Sequence, residues 1–189
     1  VLALSLALAL AAPAQAESFR KNVLFLNSYH NGYAWSDDIL QGVRSFFAES
    51  GYIVDLQIEY LDTKRFATGD RSRALFEFYR EKFRDAAYDV AIASDDYAYN
   101  FLLEHRDRLL PGVPVVFCGV NDFRPERLAG HQDVTGVVEN VDFEGTFRLA
   151  ARLHKDTGRM VVIGDQSVTG KAIQRQIREV EPRLKGTLE

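Results

Sequence analysis

A chain of 189 residues is enough for one ordinary domain, and 47% hydrophobic with 26% charged residues is the balance of a globular protein rather than a disordered one. The net charge of -4 and a pI near 5.6 leave no basic footprint for nucleic acid. A single cysteine, Cys118, rules out an intrachain disulfide and a cysteine-rich metal site.

The first twelve residues, Val1 to Ala12, are apolar or small apart from Ser5 and carry no charge; Pro13-Ala14-Gln15-Ala16 then supplies an A-x-A pattern. This reads as the h-region and cleavage site of a secretory signal peptide, its basic n-region and start Met lying upstream. The run is shorter than the roughly 18 residues a membrane span needs. Cleavage after Ala16 and a mature start at Glu17 are therefore expected, in an exported, extracytoplasmic or periplasmic protein.

Strand and helix signals then alternate. Val23–Leu26 is an apolar strand. Ser36 is a candidate N-cap, and Ile39, Leu40, Val43, Phe46 and Phe47 fall on one helical face, closed by Ser50-Gly51. In Val54–Tyr60 apolar residues alternate with Asp55, Gln57 and Glu59, the pattern of an edge strand with one wetter face. A polar stretch with a Gly69-Asp70 turn leads to a helix marked by Leu75, Phe76, Tyr79 and Phe83. Tyr88–Ala93 is a third strand, and Ala98, Phe101, Leu102, His105 and Leu109 mark a third helix, closed by Pro111-Gly112. Val113–Phe117 and Val134–Val138 are further strands; Asp142 caps a helix carrying Phe143, Phe147, Ala150, Ala151 and His154, ended by Gly158. Met160–Ile163 reads as a sixth strand, and a last helix runs from about Gly170 to Leu184. Such alternation implies right-handed βαβ units and a doubly wound parallel sheet covered on both faces. Residues 17–141 form a first α/β lobe, and 142–189 a crossover helix and the start of a truncated second lobe.

Five expected strand ends deliver polar groups to one rim: Ser28-Tyr29-His30, Ser94-Asp95-Asp96, Cys118-Gly119-Val120-Asn121, Glu139-Asn140 and Gly164-Asp165, with Tyr33, Trp35, Tyr97 and Tyr99 nearby. Ligands of open α/β sheets bind outside the carboxyl ends of the strands, and apolar walls with a few placed polar groups suit a small molecule. Taken singly, Asp95 or Asp96 can equally cap a helix, and Ser28 close a turn. His30, Asp37, Asp95 and Asp96 show no metal-ligand spacing, and the spacing of the carboxylates does not establish acid/base chemistry. Cys118 after an apolar strand reads first as a small buried hydrophobe. No G-x-S-x-G or G-x-G-x-x-G is present, and GDQSVTGKA fails as a P-loop, with five residues between Gly164 and Gly170 and Ala172 in place of the Ser/Thr that would hold magnesium.

The segments LNSYHNGYAWSDDILQGVRSFF, EYLDTKRF, YDVAIASDDYAYNFL, LLPGVPVVFCGVNDF and TGVVENVDFEGTFRLAARLHKDTGRMVVIGD, in this order, resemble the ABC-transporter-substrate-binding-like family of type I periplasmic-binding-protein folds. The likeness is to the subgroup serving as extracytoplasmic sensor regions ahead of a membrane helix and histidine kinase, PAS or diguanylate cyclase modules. It covers nearly all of Asn22 to Asp165 and implies a two-lobed clamshell with ligand between the lobes. The positions implied for the first-lobe half of the site are Ser28, Tyr29, His30, Trp35, Ser94, Asp95, Asp96, Cys118, Gly119 and Asn121. Glu139 would lie near the hinge, and Asp165 would open the second lobe's share.

The expectation is a small-molecule-binding sensor domain of a membrane-anchored signalling protein, not itself an enzyme and with no cofactor, its ligand an amino acid or an aromatic metabolite. A second copy of the chain is an admissible partner; nucleic acid is not. The alternatives are a solute-binding protein of an ABC transporter and, third, an enzyme using Cys118 or the Asp95/Asp96 pair.

Overall fold

The computed structural model describes residues 20–66, 71–156 and 158–186. The cleavage pattern at Pro13–Ala16 and the Gly69-Asp70 turn lie outside them. Strands β1 (Arg20–Asn27), β2 (Ile53–Tyr60), β3 (Val90–Ser94), β4 (Val115–Val120) and β5 (Val134–Val138) form one sheet in the order β2-β1-β3-β4-β5. Every pairing is parallel. The helices are α1 (Ala34–Glu49), α2 (Arg71–Lys82), α3 (Asp95–Leu109), α4 (Phe143–Leu153) and α5 (Val168–Leu184), with a 3-10 turn at Pro125–Leu128.

The doubly wound reading holds, and the period of β1 explains it. Alternate residues of a strand face opposite sides, and β1 is apolar on both. Leu24 and Leu26 join a core with Phe76, Tyr79 and Phe83 behind α2 and with Ala98, Phe101, Leu102 and Leu109 of α3. Val23 and Phe25 face the other way, onto Leu40, Ile39, Val43 and Phe47 of α1. Chain order reverses between β1 and β3, the switch point at which open α/β sheets form their crevice.

As its alternation predicts, β2 is an edge strand. Its wetter face is satisfied internally: Tyr88 donates to Gln57 at 2.6 Å, and the Lys82 ammonium to Glu59 at 2.7 Å. Asp142 caps α4 as expected, accepting from the Gly145 amide at 2.8 Å.

Four readings are corrected. Helix α1 starts at Ala34 with Tyr33 as N-cap, so Ser36 lies inside the first turn, its hydroxyl donating to the Tyr33 carbonyl. Phe46 is 68% exposed, on the solvent flank of α1. Helix α4 ends at Leu153, short of Gly158, with His154 as C-cap. Met160–Ile163 is not a strand: it pairs with no described strand, and Ile163 is 93% exposed. Backbone in this segment has no neighbouring ladder, and an apolar run becomes a strand only where one exists. Helices α4 and α5 pack against each other, and α5 also rests on α3.

Candidate functional site

A cleft of about 470 Å3 opens at the switch point, lined by Tyr29, Thr63, Lys64, Asp95 and Tyr97 on one side and by Asp165 to Thr169 and Lys171 on the other. Its floor is the pair of chain segments leaving β1 and β3. Ser28, fully buried, donates to the Ser94 carbonyl at 2.7 Å and accepts from the Ala98 amide at 2.8 Å, so it ties the end of β1 to the first turn of α3. The same turn carries Asp95, 3% exposed and held at φ +73°, a region sparsely used by residues other than glycine.

That backbone aims the Asp95 carboxylate at the cleft. It accepts from the Tyr29 hydroxyl at 2.7 Å and from Thr169 at 3.2 Å. Burial lifts Asp95 from the ordinary carboxylate range to about 7, against the lowering effect of the Tyr29 hydrogen bond. Burial and the neighbouring Asp95 charge push the Tyr29 phenol upward, which keeps it a donor.

The loop after β2 forms the side wall because it is stitched to the end of β1. The Leu61 amide donates to Asn27 O at 2.8 Å, and both the amide and hydroxyl of Thr63 reach Ser28 O, at 3.0 and 2.8 Å. This places the Lys64 ammonium 5.1 Å from the centre of the Tyr29 ring and 6.0 Å from that of Tyr33. The same ammonium pairs with Asp165 at 2.9 Å. Asp165 also accepts from the Ser167 amide at 2.9 Å and from the Ser167 hydroxyl; the Ser167 and Lys64 hydrogen bonds hold its carboxyl down at about 2. Ser167 in turn caps α5, accepting from the Gly170 amide at 3.1 Å. The stretch that imitates a P-loop is thus a carboxylate-and-serine cap.

Of the residues expected in the site, Tyr29, Asp95 and Asp165 line the cleft, and Ser28 and Ser94 hold its floor. Asp96 accepts from the Asn121 and Asp122 amides at 3.1 and 3.0 Å, and the Asn121 side chain donates to Glu139 at 2.9 Å. These three fasten the ends of β4 and β5 behind the cleft. Trp35 stacks edge-on to Tyr29 at 5.9 Å and lies against Gly119, whose φ of +66° and lack of Cβ make room for the indole. His30 packs on Tyr33 and contacts Asn31 O, away from the lining. Tyr99 is buried against Phe117. The Cys118 thiol is pushed up by burial, which keeps it protonated and a poor nucleophile. Among the described residues no group of three His, Cys, Asp or Glu side chains is placed to hold a metal ion, and no helix is long and apolar enough to cross a membrane.

Thr63, Lys64, Ser167, Thr169 and Lys171 were not expected in the site. Lys64 follows the carboxyl end of β2, and the strand-end rule applied to that loop finds it.

Comparison with protein-family models, curated proteins and solved structures finds no match to this chain.

Proposed function

We propose that the chain is the small-molecule-binding part of an extracytoplasmic sensor, with ligand held between the rim of the sheet and the N-terminal turn of α5. The observation that carries the binding reading is the Tyr29–Asp95–Thr169 cluster: a buried carboxylate at the topological switch point, bridged to a separate helix across an open cleft. A group so placed can recognise a ligand and also report it, because whatever fills the cleft competes with Thr169 for Asp95. Signalling then needs only that the ligand bind one position of α5 better than another. The resemblance set out above supports the sensor role and the export, and an amino acid or aromatic metabolite suits a wall of tyrosines with carboxylates and ammonium groups.

Thermal-shift screening against amino acids, aromatic acids and aromatic amines tests binding, since a ligand that binds only the folded chain raises its melting temperature by mass action. A hit lost in D95A supports the cleft, and a hit retained in D95A places binding elsewhere. The gene sequence beyond Glu189 tests the role: a membrane helix and signalling module are expected, and a stop codon directly after a second lobe would replace the sensor with a transporter component.

A further inference from the structure

We infer that the ligand of this cleft carries an ammonium group, and that Lys64 occupies that group's place when the cleft is empty. The inference rests on the binding reading above and narrows it to organic cations.

The Lys64 ammonium has what an ammonium-binding site offers. Two tyrosine rings lie within 6.0 Å of it, and a ring attracts a cation through its quadrupole. The Asp165 carboxylate sits at 2.9 Å and the Ser167 hydroxyl at 3.4 Å. A second carboxylate, Asp95, shares the lining. The anion's place at the N-terminus of α5, by contrast, is taken, which leaves Lys171 as the other cation of the lining. Asp165 occupies the N-terminus of α5, holding the Ser167 amide and hydroxyl, and the Gly170 amide is spent on Ser167. An incoming carboxylate or phosphate would have to displace a carboxylate of the protein's own. An incoming ammonium displaces a long, flexible lysine, its side chain 23% exposed, which can swing into water and leave its stem on the cleft wall. The ligand's cation then restores the charge balance at Asp165 that Lys64 gave up.

Isothermal titration with phenethylamine and with 3-phenylpropionate, a cation and an anion on the same aromatic frame, tests this. Wild type is compared with K64M and K64M/Y33L, each first checked for an intact fold by circular dichroism. Removing the tethered competitor in K64M is expected to tighten phenethylamine about tenfold, the scale of a desolvated cation on an aromatic ring. The gain should be absent in K64M/Y33L, and 3-phenylpropionate should gain nothing. K64Q, which keeps polar contacts without charge, serves if K64M misfolds, with the same expectation. Phenethylamine that binds K64M no better than wild type overturns the inference and leaves Lys64 a structural tie. So does 3-phenylpropionate binding that K64M abolishes, which would make Lys64 an anion ligand. If neither probe binds any form while a compound without an ammonium group gives a D95A-sensitive thermal shift, the ammonium inference fails and the cleft stands. If no compound gives such a shift, both fail.

Discussion

Ser28, at the end of β1, caps a helix that belongs to β3: its hydroxyl oxygen accepts the Ala98 amide at 2.8 Å. No side chain from the chain's own N-cap, Ser94, does so. The bond joins the two strands flanking the crevice at the level where the floor of the cleft begins. S28A removes a buried donor and acceptor at once and strands the Ala98 amide, while the Ser94 carbonyl keeps only the Ser28 amide at 3.2 Å. Each buried group left unsatisfied costs about 1–3 kcal/mol, so S28A should lose about 2 kcal/mol or more in urea unfolding. A loss under 0.5 kcal/mol would mean water replaces the hydroxyl.

Asp95 gives stability an unusual pH dependence. Its carboxyl titrates near 3.8 in the unfolded chain and near 7 in the folded one, because burial disfavours the charged form. Between those values the folded state holds the extra proton, so this group's contribution is full below pH 3.8 and is lost as pH rises toward 7. Comparing wild type with D95N by denaturant unfolding at a series of pH values should show this slope in wild type alone. Equal slopes in both proteins would remove Asp95 as its source.

Gly119 and Trp35 form a mutually dependent pair. A Cβ at position 119 would meet the indole, and φ +66° strains any other residue. G119A should cost about 1–3 kcal/mol and shift the emission of the only tryptophan in the chain. Unchanged fluorescence would show that the indole does not move.

Thr169 is the one side chain of α5 hydrogen-bonded to the buried Asp95. T169V keeps the shape and removes the bond. Hydrogen exchange should then accelerate in the first turns of α5 while β1 and β3 keep their protection. Faster exchange throughout the sheet would instead indicate global destabilisation.

The sheet was legible because a continuous apolar run of strand length reports burial on both faces: Val23 to Leu26 is a strand in the sequence and a doubly covered strand in the fold. The same signal misled at Met160–Ile163, since an apolar run does not encode whether a partner strand stands beside it. At the site, Tyr29 and Asp95 were legible as strand-end residues. Lys64 was legible only as a residue beyond the carboxyl end of β2; its turn toward the cleft depends on Thr63 reaching Ser28 across 35 positions of sequence. Ser167 and Thr169 lay inside a motif judged only for whether it could bind nucleotide phosphates. Asp96, Asn121 and Glu139 carry the polar types of a ligand site, yet here they serve one another.

The wall that α5 contributes at the cleft is held by polar ties: Lys64 to Asp165, Thr169 to Asp95, Arg175 to Asp122 at 2.6 Å and Gln176 to Asn121 O at 2.6 Å. Parting them trades protein hydrogen bonds for water ones, and two of the four are ion pairs at the surface. Dissolved salt weakens such pairs over a Debye length of roughly 8–10 Å at ordinary ionic strength. The ease with which this wall lifts is therefore tuned by the ionic strength of the surroundings, while the buried Ala172 of α5 adds a contact that salt does not weaken.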